Sequence, residues 1–174
     1  MRYIFDLVHH FLTANSRHGT HSPFVYSLAE QVLYNKTNIS NRNKQELPNS
    51  LNLPYNWLIS RILKHWGMRS VLVVDSLNAF KIGYQKSKAR KSAFYLPIEH
   101  ATDQALSVCL AASPFSAVFI GRIYSSAITK RQWQHLKEHP SVSLSIDLFH
   151  FGILIQKDTK QVEHFKLRFP YFFK

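Results

Sequence analysis

The stretch that most constrains this chain lies in its last third, where Val142, Leu144, Ile146 and Leu148 alternate with Ser143, Ser145, Asp147 and Phe149. Alternation of this kind is the period of a strand with one face on the core. FGILIQK follows at once, so residues 142–149 and 151–157 are expected to pair as a hairpin around His150 to Gly152. In that register the four aliphatic residues face the core and Ser143 and Ser145 face solvent. A slip of one residue would exchange the two sets. HFKLRF alternates again and predicts an edge strand.

Upstream, SVLVVD, SAFYLP and SAVFIG are short apolar runs, the pattern of buried strands in a parallel sheet. Helical patterns fall between the runs. Leu58, Ile59, Ile62, Leu63 and Trp66 share a helical stripe that Gly67 stops, and residues 98–111 read as a helix. TKRQWQHLKEHP reads as another, with Thr129 and Gln132 at capping-box spacing and Pro140 as its end. Strands that alternate with helices, then close on a β-rich end, predict an α/β fold. Its sheet is expected to be mainly parallel, with antiparallel strands at one edge.

At the N-terminus, Ile4, Leu7, Val8, Phe11 and Leu12 predict a helix over residues 3–14 with one buried stripe. In RHGTHSPFVY, Gly19 suits a tight turn, Ser22 an N-cap and Pro23 a first helical position. The helix so begun carries apolar residues to about Asn35. His18 and His21 read as side chains that lock this turn or roof a substrate cleft. A metal site needs three or four ligands, and no carboxylate or cysteine stands beside them in sequence. The expected organisation is one domain over residues 1–174: a helical pair (1–35), a polar loop with five asparagines (36–52) and an α/β core (53–174).

Charge is unevenly placed. The formal net charge is +12, from 22 Lys and Arg against 10 Asp and Glu. Lys36, Arg42, Lys44, Arg61, Lys64 and Arg69, with a cluster from Lys81 to Lys91, load the middle of the chain. Residues 61–91 are therefore a candidate surface for a polyanion or nucleic acid. The single cysteine, Cys109, shares an apolar stripe with Leu106 and Leu110 and reads as core; one cysteine excludes an internal disulfide. No signal peptide and no membrane-spanning run are read in the sequence, so a cytoplasmic location is expected.

The start, HGTHSPFVYSLAEQVLYNK, and the end, RQWQHLKEHPSVSLSIDLFHFGILIQK followed by EHFKLRF, resemble a group of Bacteroidetes methyltransferase-like proteins. Those proteins resemble class I S-adenosylmethionine-dependent methyltransferases. The resemblance covers about half of the chain and implies a Rossmann-like sheet, here shortened in the middle. It also implies a cofactor turn after the first strand, an acid on the ribose at the end of the second, and paired acids before a later helix.

In this chain Asp75 stands at the first position, but Ser76, Leu77, Asn78, Ala79 and Phe80 replace the glycine-rich run. Side chains there would occupy the space of the ligand. Glu99 is the available ribose acid, and Gly121-Arg122 replace the paired acids. Asp75, Ser76, Asn78 and Glu99 are thus the remnant cofactor residues, with His18, His21 and Arg122 as cleft residues. No catalytic residue, metal or bound cofactor is expected, and a protein partner is. The expected function is that of a methyltransferase-like protein that has lost S-adenosylmethionine and serves as a binding or partner-interaction module. The alternatives are an active S-adenosylmethionine-dependent methyltransferase with an atypical turn, and a basic nucleic-acid-associated protein.

Overall fold

Two of the apolar runs form the centre of the sheet. Strands β2 (Lys91–Pro97) and β3 (Phe115–Gly121) pair in parallel from Lys91 opposite Phe115 to Pro97 opposite Gly121. Their residues alternate between two buried layers: Ala93, Tyr95, Ala117 and Phe119 enter one core, and Phe94, Leu96, Val118 and Ile120 the other. A strand covered on both faces has no polar side, which is why these runs are continuously apolar. This is a computed structural model, and it describes residues 2–15, 21–35, 55–68, 71–74, 91–157 and 161–168.

In chain order the elements are α1 (Arg2–Thr13), α2 (Pro23–Leu28, continued by a π-helical turn Ala29–Leu33), α3 (Asn56–His65) and β1 (Leu72–Val73). After β2 come a 3₁₀ turn (Ile98–His100), α4 (Asp103–Leu110), β3, α5 (Ala127–Lys137), β4 (Leu144–Asp147), β5 (Phe151–Gln156) and β6 (Glu163–Lys166). The six described strands lie in the order β1-β2-β3-β5-β4-β6. Only β5 runs against the rest: it pairs antiparallel with both β3 and β4, while β6 pairs parallel with β4. The fold is α/β with a mostly parallel sheet. The α2 and α3 helices pack on one face and α4 and α5 on the other.

Several expectations are corrected. The antiparallel strand is not at the edge but inside the sheet, and the hairpin turns earlier, through Leu148–His150. The strand in SVLVVD is short, and Leu72 is 52% exposed. Residues 98–111 are a 3₁₀ turn and a separate helix, because Thr102 caps α4 by accepting from the Ala105 N–H at 3.2 Å. The capping box of α5 belongs to Ser126 and Thr129, each bonded to the other's backbone N–H, rather than to Thr129 and Gln132. Ser22 occupies the N-cap of α2, but its hydroxyl donates to Glu163 Oε2 at 3.3 Å and caps nothing.

Strand β4 departs most from its pattern. Leu144, Ile146 and Leu148 join the α2–α3 core, whereas Val142 joins the other. Ser143, Ser145 and Asp147 are buried as well. Burial is tolerated because each is bonded. The Ser143 hydroxyl donates to Ile155 O and accepts from Lys157 N–H, and Ser145 Oγ lies 2.8 Å from His164 Nδ1.

The first helix is inverted relative to expectation. Its buried residues are Asp6 and His10, while Ile4 (64%), Phe5 (73%), Val8 (51%) and Leu12 (71%) are exposed. Polar contacts dock it. Lys130 Nζ lies 2.5 Å from Asp6 Oδ1, and Lys166 Nζ donates to Thr13 Oγ1 at 3.0 Å. The Asn15 N–H and C=O bond Lys166 O and Arg168 N–H.

Candidate functional site

Because β2, β3 and β4 run in the same direction, Pro97, Gly121 and Asp147 end at the same edge of the sheet. In open α/β sheets ligands bind outside this carboxyl edge. A cavity of about 240 Å³ lies here, lined by Tyr95 of β2, Gly121 of β3, Arg122, Tyr124 and Ser125 after β3, and Phe149, His150 and Phe151 after β4. Tyr3 of α1, with Tyr55 and Ile59 at the start of α3, completes the wall.

The aromatic groups hold one another. Phe149 stacks on Tyr124 with centroids 4.8 Å apart, Tyr55 stacks on His150 at 4.6 Å, and Tyr3 meets Phe149 edge-on at 5.2 Å. Tyr95 reaches the cavity only because Gly121 has no side chain; a Cβ there would overlap the Tyr95 hydroxyl. Burial raises the Tyr95 hydroxyl and, with the neighbouring Tyr3, pushes Tyr55 up to about 12. Both are neutral hydroxyls rather than bases.

Behind this wall sits Asp147, 3% exposed. Its Oδ1 lies 3.0 Å from His10 Nε2 and accepts from the Phe149 N–H at 2.9 Å. Its Oδ2 accepts from Tyr124 Oη at 2.8 Å and Trp133 Nε1 at 3.1 Å. Burial pushes this carboxyl up, but hydrogen bonding and charge from His10, with the Phe149 and Tyr124 bonds, outweigh it. The group is held below the ordinary value of 3.8. With four partners, Asp147 organises α1, α5 and the loops after β3 and β4; its lone pairs are committed to them.

Among the described residues two that are not glycine have left-handed backbones, Arg122 at φ 61° and Phe149 at φ 67°. Each costs roughly 1–3 kcal/mol, and such strain gathers at sites whose surroundings enforce it. Both line the cavity. The Arg122 N–H donates to His150 O at 3.0 Å, tying the two strained loops together.

The structure brings two sequence-predicted residues together: Arg122 Nη1 and Glu99 Oε1 lie 3.4 Å apart, both well exposed. His21 is exposed at the entry to α2 and is not among the cavity residues. His18, Asp75, Ser76 and Asn78 lie outside the described residues. Cys109 is buried in the α4–α5 core and its thiol is pushed up to about 12 by burial, the state of an inert thiol. Among the described residues no group of three or more His, Cys, Asp or Glu side chains is placed to hold a metal ion. No helix among them is long and apolar enough to cross a membrane.

The tyrosines and Asp147 were missed in the sequence. The available signal was position, since Asp147, Tyr124 and Phe149 all fall at or just past the carboxyl end of a strand. The arrangement offers stacking surfaces, neutral hydroxyls and one guanidinium. It suits retention of a small flat group or an inserted side chain. No protein-family model, curated protein or solved structure matches this chain.

Proposed function

We propose that this chain is a methyltransferase-like α/β domain that does not bind S-adenosylmethionine and works as a binding module. The carrying observation is the engagement of Glu99 by Arg122 at the carboxyl edge of the sheet. By resemblance Glu99 would grip the cofactor ribose and paired acids would stand at Gly121-Arg122. Instead, a cation occupies one of those two positions and is paired with the ribose acid.

Two further features support the reading. The cavity, at about 240 Å³, is below the roughly 300–1,000 Å³ of sites that bury ligands of drug size. Its walls are aromatic side chains fixed by stacking and by the Asp147 network. In addition, β1 and β2 are adjacent and parallel, joined by residues 74–90. That length serves one crossover; a second βαβ unit takes ~30 residues or more. The residues present do not fit the cofactor.

Crystals soaked with S-adenosylhomocysteine test this reading. It predicts a cavity bounded by Tyr95, Tyr124 and Phe149 with no nucleoside density. A nucleoside seated with its ribose on Glu99 would replace the proposal with the active-enzyme reading.

A further inference from the structure

The outward face of α1 is an amphipathic helix turned the unusual way. Ile4, Phe5, Val8 and Leu12 fall at positions i, i+1, i+4 and i+8, one continuous stripe, and all are more than half exposed. The helix does not need this stripe for docking, since Asp6, His10 and Leu7 face inward. Its one acid, Asp6, is buried, so the outward face carries no negative charge. Bases stand at both ends. Arg2 at the start lies 3.8 Å from Asp6 and keeps its side chain 63% exposed. At the other end Lys166 bonds Thr13, and the Arg168 guanidinium lies 4.5 Å over the Phe11 ring.

We propose that α1 lies in the surface of an anionic lipid bilayer, with Ile4, Phe5, Val8 and Leu12 entering the acyl boundary and the basic ends on lipid phosphates. Phenylalanine and leucine on one face with cations beside them is the composition of helices that bind in the interface plane. Three occupants are distinguished by what they use. A nucleic acid would use the charge and leave the apolar stripe bare. A second copy would use the stripe, but it would bring +12 against +12. The helix is also only ~18 Å long, a footprint well short of the ~800 Å² that a standard interface takes from each partner. An anionic bilayer uses both the stripe and the charge. Ile4, Phe5, Val8 and Leu12 do not line the cavity, so the inference stands apart from the loss of S-adenosylmethionine.

The test is flotation of the full chain with vesicles of phosphatidylcholine alone and of phosphatidylcholine with phosphatidylserine in equal parts. Binding is expected only to the second kind. A Phe5→Asp/Leu12→Asp variant should keep the wild-type melting temperature, because both positions are exposed. It should lose binding by on the order of tenfold per side chain. The milder Phe5→Ser/Leu12→Gln pair serves the same purpose if the first variant melts early. Absence of binding to phosphatidylserine vesicles at low salt would overturn the proposal. So would equal binding by wild type and variant, which would reduce the effect to charge. A dimer in light scattering that the variant abolishes would overturn it in favour of a second copy.

Discussion

His10 Nε2 lies 3.0 Å from Asp147 Oδ1, and this contact fastens the first helix to the end of β4. Both groups are buried, and the carboxylate collects Tyr124, Trp133 and the Phe149 backbone as well. Replacing Asp147 by alanine strands these donors. Leaving a buried donor without its acceptor costs about 1–3 kcal/mol, to be read as a lower denaturant midpoint. The pH dependence has a definite sign. The folded carboxyl titrates below the ordinary value of 3.8, so its contribution is complete above that value and is lost as pH falls through the folded one. The stability gap between wild type and Asp147→Asn should therefore shrink on acidification below about pH 4. A gap that stays constant through that range would contradict the assignment.

Gly152 gives a second test, of packing. It lies in β5 against the fully buried Trp133 ring, and a Cβ would overlap the indole. Gly152→Ala must move Trp133, whose N–H holds Asp147. Overpacking of a core typically costs about 1–3 kcal/mol. A lower melting temperature with a changed tryptophan emission is expected; an unchanged pair of readings would show that the ring has room.

The net charge of +12 predicts salt-sensitive, sequence-independent association with polyanions. Fluorescence anisotropy with unrelated oligonucleotides should give similar affinities that fall by at least tenfold from low to moderate salt. Residues 75–90, which hold much of the cluster, lie outside the described residues. Charge reversal at Lys86, Lys88, Arg90 and Lys91 should weaken binding uniformly across sequences. Strong preference for one sequence would point instead to base readout.

What could be read in advance follows from what each pattern encodes. The runs SAFYLP and SAVFIG became β2 and β3 because a doubly covered strand has no polar positions to disguise it. Alternation in residues 142–149 gave the hairpin but not its environment. Ser143, Ser145 and Asp147 look like a solvent face, and only the partners Lys157, His164 and His10 make their burial affordable. Periodicity in residues 3–14 located α1 and its apolar stripe, but a stripe does not say which way it points. Here the ion pair from Lys130 and the bond to Asp147 turned the polar face inward. Glu99 and Arg122 entered through resemblance to a family. Tyr3, Tyr55, Tyr95 and Tyr124 share no local spacing, and only the common edge of the parallel strands brings them around one cavity.

Calorimetric titration of the full chain with S-adenosylmethionine and S-adenosylhomocysteine tests the proposed loss of cofactor binding. The prediction is no heat of binding for either compound, with a melting temperature unmoved by excess ligand. Micromolar affinity for S-adenosylhomocysteine, weakened by Glu99→Gln, would contradict it.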